Sequence, residues 1–71
     1  MDAETIAKYL AVLKEVLQLV LHRRTEFSKN DSYLHGPRPG YEEPWRDADN
    51  AVDTLRAMIH KLEMMEVKQG G

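Results

Sequence analysis

The chain has 71 residues and a mass of 8.2 kDa, which is the size of one small domain. Ten basic and twelve acidic side chains give a net charge of −2, so the chain lacks the strong positive charge by which many proteins hold nucleic acid. It has no cysteine, which excludes disulfides, thiolate nucleophiles and sulfur-ligated zinc. We therefore expect one domain over 1–71 and no nucleic-acid partner.

The N-terminal part of the chain carries no recognisable export or membrane signal. Its first four residues lack the positive charge that opens a secretory signal peptide. The apolar stretch 9–21 is interrupted by Lys14, Glu15 and Gln18, whereas a membrane-spanning helix needs about 20 mostly apolar residues. The sequence accordingly predicts a cytoplasmic protein with no membrane partner.

The segment 2–27 predicts the first helix, because it contains neither proline nor glycine and repeats its apolar residues on a helical period. That stripe consists of Ile6, Tyr9, Leu10, Leu13, Val16, Leu17, Val20 and Phe27. Val12 and Leu19 widen it to about four positions in seven, whereas a helix facing one partner helix needs about three. Asp2 is the expected N-cap. This helix therefore carries more apolar surface than one neighbour can cover.

The second predicted helix covers about 44–68, with Pro44 expected at its first position and Gly70 beyond its end. Its apolar stripe consists of Trp45, Ala48, Val52, Leu55, Ile59 and Leu62. Met58 and Met65 flank the stripe, and we expect them to fill gaps in the core. The opposite side of the helix is charged, which predicts one buried and one exposed face.

These elements predict an all-α fold, an antiparallel two-helix hairpin with a long connecting loop over about 28–43. Two helices alone form a one-sided core, and helical chains of this size commonly gain stability by oligomerising. We therefore expect a homodimer or higher helical bundle, a four-helix bundle being the simplest closed form. The predicted oligomer interface consists of Val12, Val16, Leu19 and Val20.

The connecting segment and the adjacent helix ends hold the predicted site for a ligand or partner. Its candidate residues are His22, Arg23, Arg24, Tyr33, His35, Arg38, Tyr41 and Trp45. Arginine forks bind phosphates and acidic surfaces, and a tyrosine can stack on a base. Two alternatives stay open: acidic residues at the same end neutralise the arginines, and Trp45 serves as a plug beneath the loop.

No residue pattern indicates catalysis, a cofactor or a metal site. The run from Asp47 to Asp53 opens like a calcium-binding loop, but Val52 stands where that loop needs glycine and Met58 where it needs glutamate. The serines and threonines have no catalytic setting such as Gly-x-Ser-x-Gly. We expect no enzyme, no cofactor and no metal, with a helix-borne magnesium hydrolase using Asp49 as the remaining alternative.

In overall shape the predicted hairpin resembles small helical proteins that phages and mobile elements encode to inhibit host proteins or to sequester signalling nucleotides. The resemblance implies an inhibitor or adaptor. Our leading hypothesis is a non-enzymatic protein that binds a partner macromolecule through its loop and adjacent helix ends. The alternative is an oligomeric protein that sequesters a small anionic nucleotide at its basic end.

Overall fold

The structure, a computed structural model, describes residues 2–29 and 36–70. Helix α1 covers Ala3–Glu26 and helix α2 covers Glu42–Gly70. The two helices pack against each other in opposite directions, and the described chain measures 47 × 17 × 17 Å. The predicted all-helical hairpin is confirmed for the described residues.

Helix α1 begins at the cap that the sequence predicts. Asp2 has an extended backbone, and its Oδ1 accepts a hydrogen bond of 2.8 Å from the Thr5 backbone N–H. This bond, which stabilises the charged carboxylate, holds the pKa of Asp2 below its ordinary value. At the other end the helix stops one residue before the predicted boundary, where the Phe27 N–H bonds back to the Arg24 carbonyl.

Helix α2 extends beyond its predicted bounds at both ends. Its first residue is Glu42, so Pro44 occupies the third helical position rather than the first. Proline is tolerated there because the first four backbone N–H groups of a helix have no acceptor within it. The helix also includes Gly70, which the sequence placed outside it. Glycine in a helix costs only about 1 kcal/mol relative to alanine, which does not forbid one more helical residue.

The core of the hairpin is narrow. The buried apolar residues are Ile6, Leu10, Ala48, Val52 and Ile59. Leu13, Leu17 and Leu62 are partly buried against the cluster that Ile6, Leu10 and Ile59 form. The expectation that Met58 and Met65 fill the core is wrong, since they are 45% and 38% exposed. Both lie on the flank of the α2 stripe, beyond the reach of the single facing helix.

Opposite sides of the hairpin differ in polarity. On one side Lys14 Nζ lies 3.5 Å from Glu63 Oε2 across the two helices. Gln18 and Asp53 are also exposed on this side, which we call the polar face. Among residues 2–29 and 36–70, neither helix combines the length and the hydropathy needed to cross a membrane.

Candidate functional site

The connecting segment closes on itself near the helices, at the end of the hairpin that we call the loop end (residues 23–29 and 36–49). Ser28 and Pro37 form an antiparallel bridge. The Lys29 N–H donates to the Gly36 carbonyl at 3.1 Å, and the Arg38 N–H donates to the Phe27 carbonyl at 2.8 Å. The segment that follows α1 and the segment that leads into α2 are therefore joined by backbone hydrogen bonds.

A tight turn then leads into α2. The Tyr41 N–H donates to the Arg38 carbonyl at 2.9 Å, with Pro39 and Gly40 between them. Gly40 has φ +90°, a conformation that side-chain-bearing residues rarely adopt, and proline followed by glycine is the sequence that such a turn favours. The turn brings the Tyr41 ring back onto Phe27, so the sequence Pro-Gly fixes the position of an aromatic side chain.

Ser28 connects the two helices through its hydroxyl group. It is 4% exposed, donates to the Arg24 carbonyl at 2.7 Å and accepts from Trp45 Nε1 at 2.9 Å. Tryptophan has one donor that needs a partner when buried, and the serine supplies it. Trp45 thus packs beneath the start of the connecting segment and is partly buried there.

Arg24 forms the shortest ion pair between the helices. Its Nη1 lies 2.7 Å from Asp49 Oδ1, and both side chains are partly shielded from solvent, at 27% and 36% exposure. A direct bond of this kind is stronger than an exposed pair. The guanidinium of Arg24 is therefore bonded to a carboxylate within the same chain. This agrees with the alternative that acidic residues at this end neutralise the arginines.

Two arginines and two aromatic rings form a second group at the loop end, which we call the arginine–aromatic cluster. Phe27 and Tyr41 stack with centroids 5.7 Å apart and an interplanar angle of 20°. The Arg23 guanidinium carbon lies 5.4 Å from the Phe27 centroid, and that of Arg38 lies 5.6 Å from the Tyr41 centroid. Each distance suits a cation–π contact. Tyr41 remains 42% exposed.

Of the other predicted site residues, His22 and Arg23 form exposed ion pairs with the same glutamate. His22 Nε2 lies 3.3 Å from Glu26 Oε1, and Arg23 Nη1 lies 3.9 Å from Glu26 Oε2, both at exposed positions. The structure thus brings Arg23, Arg24, Arg38, Tyr41 and Trp45 together at the loop end. Tyr33 and His35 lie outside the described residues.

A second candidate site is an exposed apolar surface on the side opposite the polar face. It consists of Tyr9, Val12, Val16 and Leu19 of α1 with Met58 and Met65 of α2, and we call it the apolar face. The fractions exposed are 53%, 55%, 37% and 67% on α1 and 45% and 38% on α2. Val12 and Leu19, the two positions that widen the α1 stripe, are the most exposed.

Two shallow grooves run between the helices on this side. The first, of about 540 Å³, is lined by Tyr9, Val12, Leu13, Met58, Lys61, Leu62 and Met65. The second, of about 340 Å³, lies nearer the loop end and is lined by Val20, Arg23, Phe27, Pro44, Asp47, Ala48 and Ala51. Ala51, Met58 and Met65 are seven residues apart, so both grooves open on the same side of α2. Val20, the fourth predicted interface residue, is half-buried in the second groove.

Acidic and histidine side chains do not gather in the described part of the chain. Within residues 2–29 and 36–70, no three of them form a group that could hold a metal ion. Asp49 is engaged by Arg24, while Asp53 is exposed on the polar face. The two best-defined surfaces are therefore the loop end and the apolar face.

Sequence reasoning missed two residues of the loop end, Phe27 and Ser28. Phe27 was assigned to the helical stripe, and Ser28 was considered only as a nucleophile. Their roles depend on the chain returning at residues 36–41, a contact that no periodic pattern encodes. The Pro39-Gly40 pair was the one available signal, because it marks a turn that directs the next residue back toward α1.

Comparisons with known proteins identify no relative. No family model, no curated protein and no solved structure matches this chain. The function of the two surfaces is therefore argued from their geometry and chemistry.

Proposed function

We propose that this chain is a non-enzymatic binding protein, an inhibitor or adaptor, that self-associates through the apolar face and contacts a partner macromolecule through the loop end. The observation that carries the proposal is the apolar face itself. Six large apolar side chains, each at least 37% exposed, follow one side of both helices. Contiguous apolar surface of this kind is typical of association sites rather than of a monomer's exterior.

The energetics of the hairpin favour self-association. Among residues 2–29 and 36–70, five apolar residues are buried within one chain, and two of them are the small Ala48 and Val52 of α2. Burying apolar surface contributes about 25 cal/mol per Å², while ordering each residue costs about 1.5 kcal/mol. A second layer of helices over the apolar face would add burial without ordering any further chain. Folding and association are therefore expected to support each other.

The loop end has the composition of a partner-binding surface. Arginine and tyrosine are enriched among residues that dominate binding energy, and Arg38 and Tyr41 are in contact here. The stacking of Tyr41 on Phe27 and the bond from Trp45 to Ser28 hold this surface in place before any partner arrives. Pre-ordered side chains lose less conformational entropy on binding.

The experiment is affinity capture with the tagged chain, followed by native mass measurement of what it carries. Wild-type protein should retain one partner at a fixed ratio to the dimer. Tyr41→Ala should lose that partner and keep the dimer mass. Arg56→Ala, which changes an exposed arginine away from the loop end, should retain both. If the wild-type chain captures no partner, the loop end is not a partner-binding surface. If all three proteins capture the partner equally, the loop end is not where that partner binds.

The same measurements also test the alternative hypothesis, in which the loop end binds a small anionic nucleotide. It requires arginines that are free to hold a phosphate, whereas Arg24 is paired with Asp49 within the chain. A nucleotide that co-purifies with the wild-type chain, or that raises its melting temperature, would replace the macromolecular partner with a small anionic ligand. A ligand at a hundredfold excess over its dissociation constant stabilises the bound state by about 2.7 kcal/mol, which a thermal shift detects.

A further inference from the structure

On α2 the apolar face carries opposite charges at its two ends, since Lys61 borders the first groove and Asp47 borders the second. They are separated by fourteen residues, or about 21 Å along the helix, so they cannot pair within one chain. In the described part of the chain neither side chain has an ion-pair partner. Arg23 of α1 also borders the second groove, but its guanidinium already lies 3.9 Å from Glu26 Oε2 and over the Phe27 ring.

We infer that a second copy of this chain covers the apolar face in the antiparallel orientation, with its loop end over the opposite end of the first copy. This inference rests on the proposed self-association and specifies its geometry. The two-fold axis would cross α2 near Thr54, midway between Asp47 and Lys61. The first groove of each copy would then face the second groove of the other.

Charge complementarity favours this orientation. An antiparallel partner places Asp47 of each copy opposite Lys61 of the other, and symmetry makes the contact twice. A two-fold axis along the helices would instead put both loop ends together. Asp47 of one copy would then face Arg23 of the other, which already contacts Glu26 and Phe27 within its own chain, and Lys61 would lie at the opposite end of the dimer, out of reach of Asp47.

The same axis aligns the apolar residues of α1. Arg24 pairs with Asp49, and the first groove joins Tyr9 to Met65, so the α2 level of Thr54 corresponds to Leu19 on α1. Leu19 of one copy then meets Leu19 of the other at the centre of the interface, with Val16 one turn away. Both are apolar and exposed, which is what a desolvated centre requires.

The size of the face also suits a second copy. The hairpin measures 47 Å by 17 Å across, and a face of about 800 Å² is what one partner contributes to a standard protein interface. The whole accessible surface is 5525 Å², so such an interface would still leave the polar face exposed, together with Arg38 and Tyr41 of the loop end, which line neither groove.

This orientation determines what the dimer can bind. The two arginine–aromatic clusters would lie at opposite ends of the bundle, too far apart to enclose one small ligand together. The dimer would be bivalent, holding one partner molecule at each end. An anionic site shared between the loop ends of two copies, which the nucleotide hypothesis uses, would not form.

Charge reversal tests the orientation. Asp47→Lys and Lys61→Asp should each raise the dimer dissociation constant about tenfold, because two attractive contacts become repulsive. The double variant should return to within about threefold of wild type, since both pairs are restored with reversed sign. Asp53→Lys, a matched reversal on the polar face, should leave the constant unchanged. Sedimentation equilibrium measures all five proteins.

Spin labels give an independent distance. The chain has no cysteine, so Lys68→Cys carries a single label per copy. Pulsed electron resonance should give about 40 Å between labels in the antiparallel dimer, because residue 68 lies fourteen residues from the axis. With both loop ends together, the labels would lie about 20 Å apart.

The outcomes separate the two proposals. Rescue in the double variant together with the long distance supports the antiparallel dimer. A dimer with the short distance and no rescue overturns the orientation and leaves the proposed self-association standing. A wild-type chain that is monomeric at all concentrations overturns both.

Discussion

At the loop end the helices are joined by polar groups with defined partners, whereas at the opposite end they are joined by apolar side chains. Near the loop, Trp45 Nε1 donates to the Ser28 hydroxyl and that hydroxyl donates to the Arg24 carbonyl, while the Arg24 guanidinium bonds to Asp49. At the other end, Ile6 and Leu10 pack against the second helix. The first arrangement specifies position, and the second supplies burial.

The two candidate surfaces differ in how far the contacts within one chain satisfy them. At the loop end the polar groups that join the helices find their hydrogen-bond partners within one chain. The exposed Tyr41 is therefore available to contact a partner molecule. The apolar contacts are incomplete, because Val12 and Leu19 remain more than half exposed beside the buried residues. The proposed self-association therefore belongs to the apolar face, and the proposed partner binding belongs to the loop end.

The largest effect on stability is expected in the buried core at the end opposite the loop. Ile6 is fully buried, and Ile6→Ala should lower the free energy of unfolding by about 2–5 kcal/mol through lost burial and a residual cavity. Val67→Ala, at a position 69% exposed, is the control and should change stability by less than about 0.5 kcal/mol. Urea unfolding followed by circular dichroism measures both. Similar losses in the two variants would contradict the assigned core.

A smaller effect is expected from Ser28→Ala at the loop end. The substitution leaves Trp45 Nε1 without its acceptor, which should cost about 1–3 kcal/mol. Trp45 is the only tryptophan, so its fluorescence reports directly on this site. Thr25→Ala removes an exposed hydroxyl that bonds to the Leu21 carbonyl, and it should leave the spectrum unchanged. An unaltered spectrum in Ser28→Ala would show that the bond does not hold the indole.

The ion pair between Arg24 and Asp49 should have a coupling energy of about 1 kcal/mol in a double-mutant cycle with alanine. The value is moderate because both side chains retain some solvent contact. The pair between Lys14 and Glu63 also joins the two helices but is longer and more exposed, so its coupling should be smaller. Equal coupling in the two cycles would remove the distinction between the loop end and the polar face.

The smallest effect concerns the helix cap. Because the pKa of Asp2 is lowered in the folded state, its contribution is present above the unfolded-state pKa and is lost as pH falls through the folded-state pKa. Asp2→Asn keeps an acceptor for the Thr5 N–H but cannot titrate. Stability measured from pH 2 to 6 should therefore vary slightly less with pH in Asp2→Asn than in wild type. Identical pH profiles would argue against the cap.

Much of the fold followed from the sequence because helical periodicity is local. The absence of proline and glycine from 2–27 and the spacing of Ile6, Leu10 and Leu13 predicted α1 to within one residue at each end. The width of its stripe indicated that Val12 and Leu19 would not be covered by α2, and they are exposed. The burial of Met58 and Met65 was overestimated, because one facing helix covers only the centre of a stripe.

The loop end was less predictable, for a physical reason. Its arrangement depends on contacts between residues that are far apart in sequence, such as the bond from Trp45 to Ser28 and the stacking of Phe27 on Tyr41. Composition indicated that arginines and tyrosines would gather there. It did not indicate which arginine would pair with a carboxylate and which would lie over a ring.

Sedimentation equilibrium of the purified protein shows whether a second copy of the chain covers the apolar face. Self-association through this face should give a species of twice the 8.2 kDa chain mass that dissociates on dilution. Val16→Asp should abolish that species, because the side chain lies within the proposed interface, one turn from its centre at Leu19, while Gln18→Asp on the polar face should preserve it. A well-folded wild-type monomer of 8.2 kDa at every concentration would show that the apolar face does not mediate self-association.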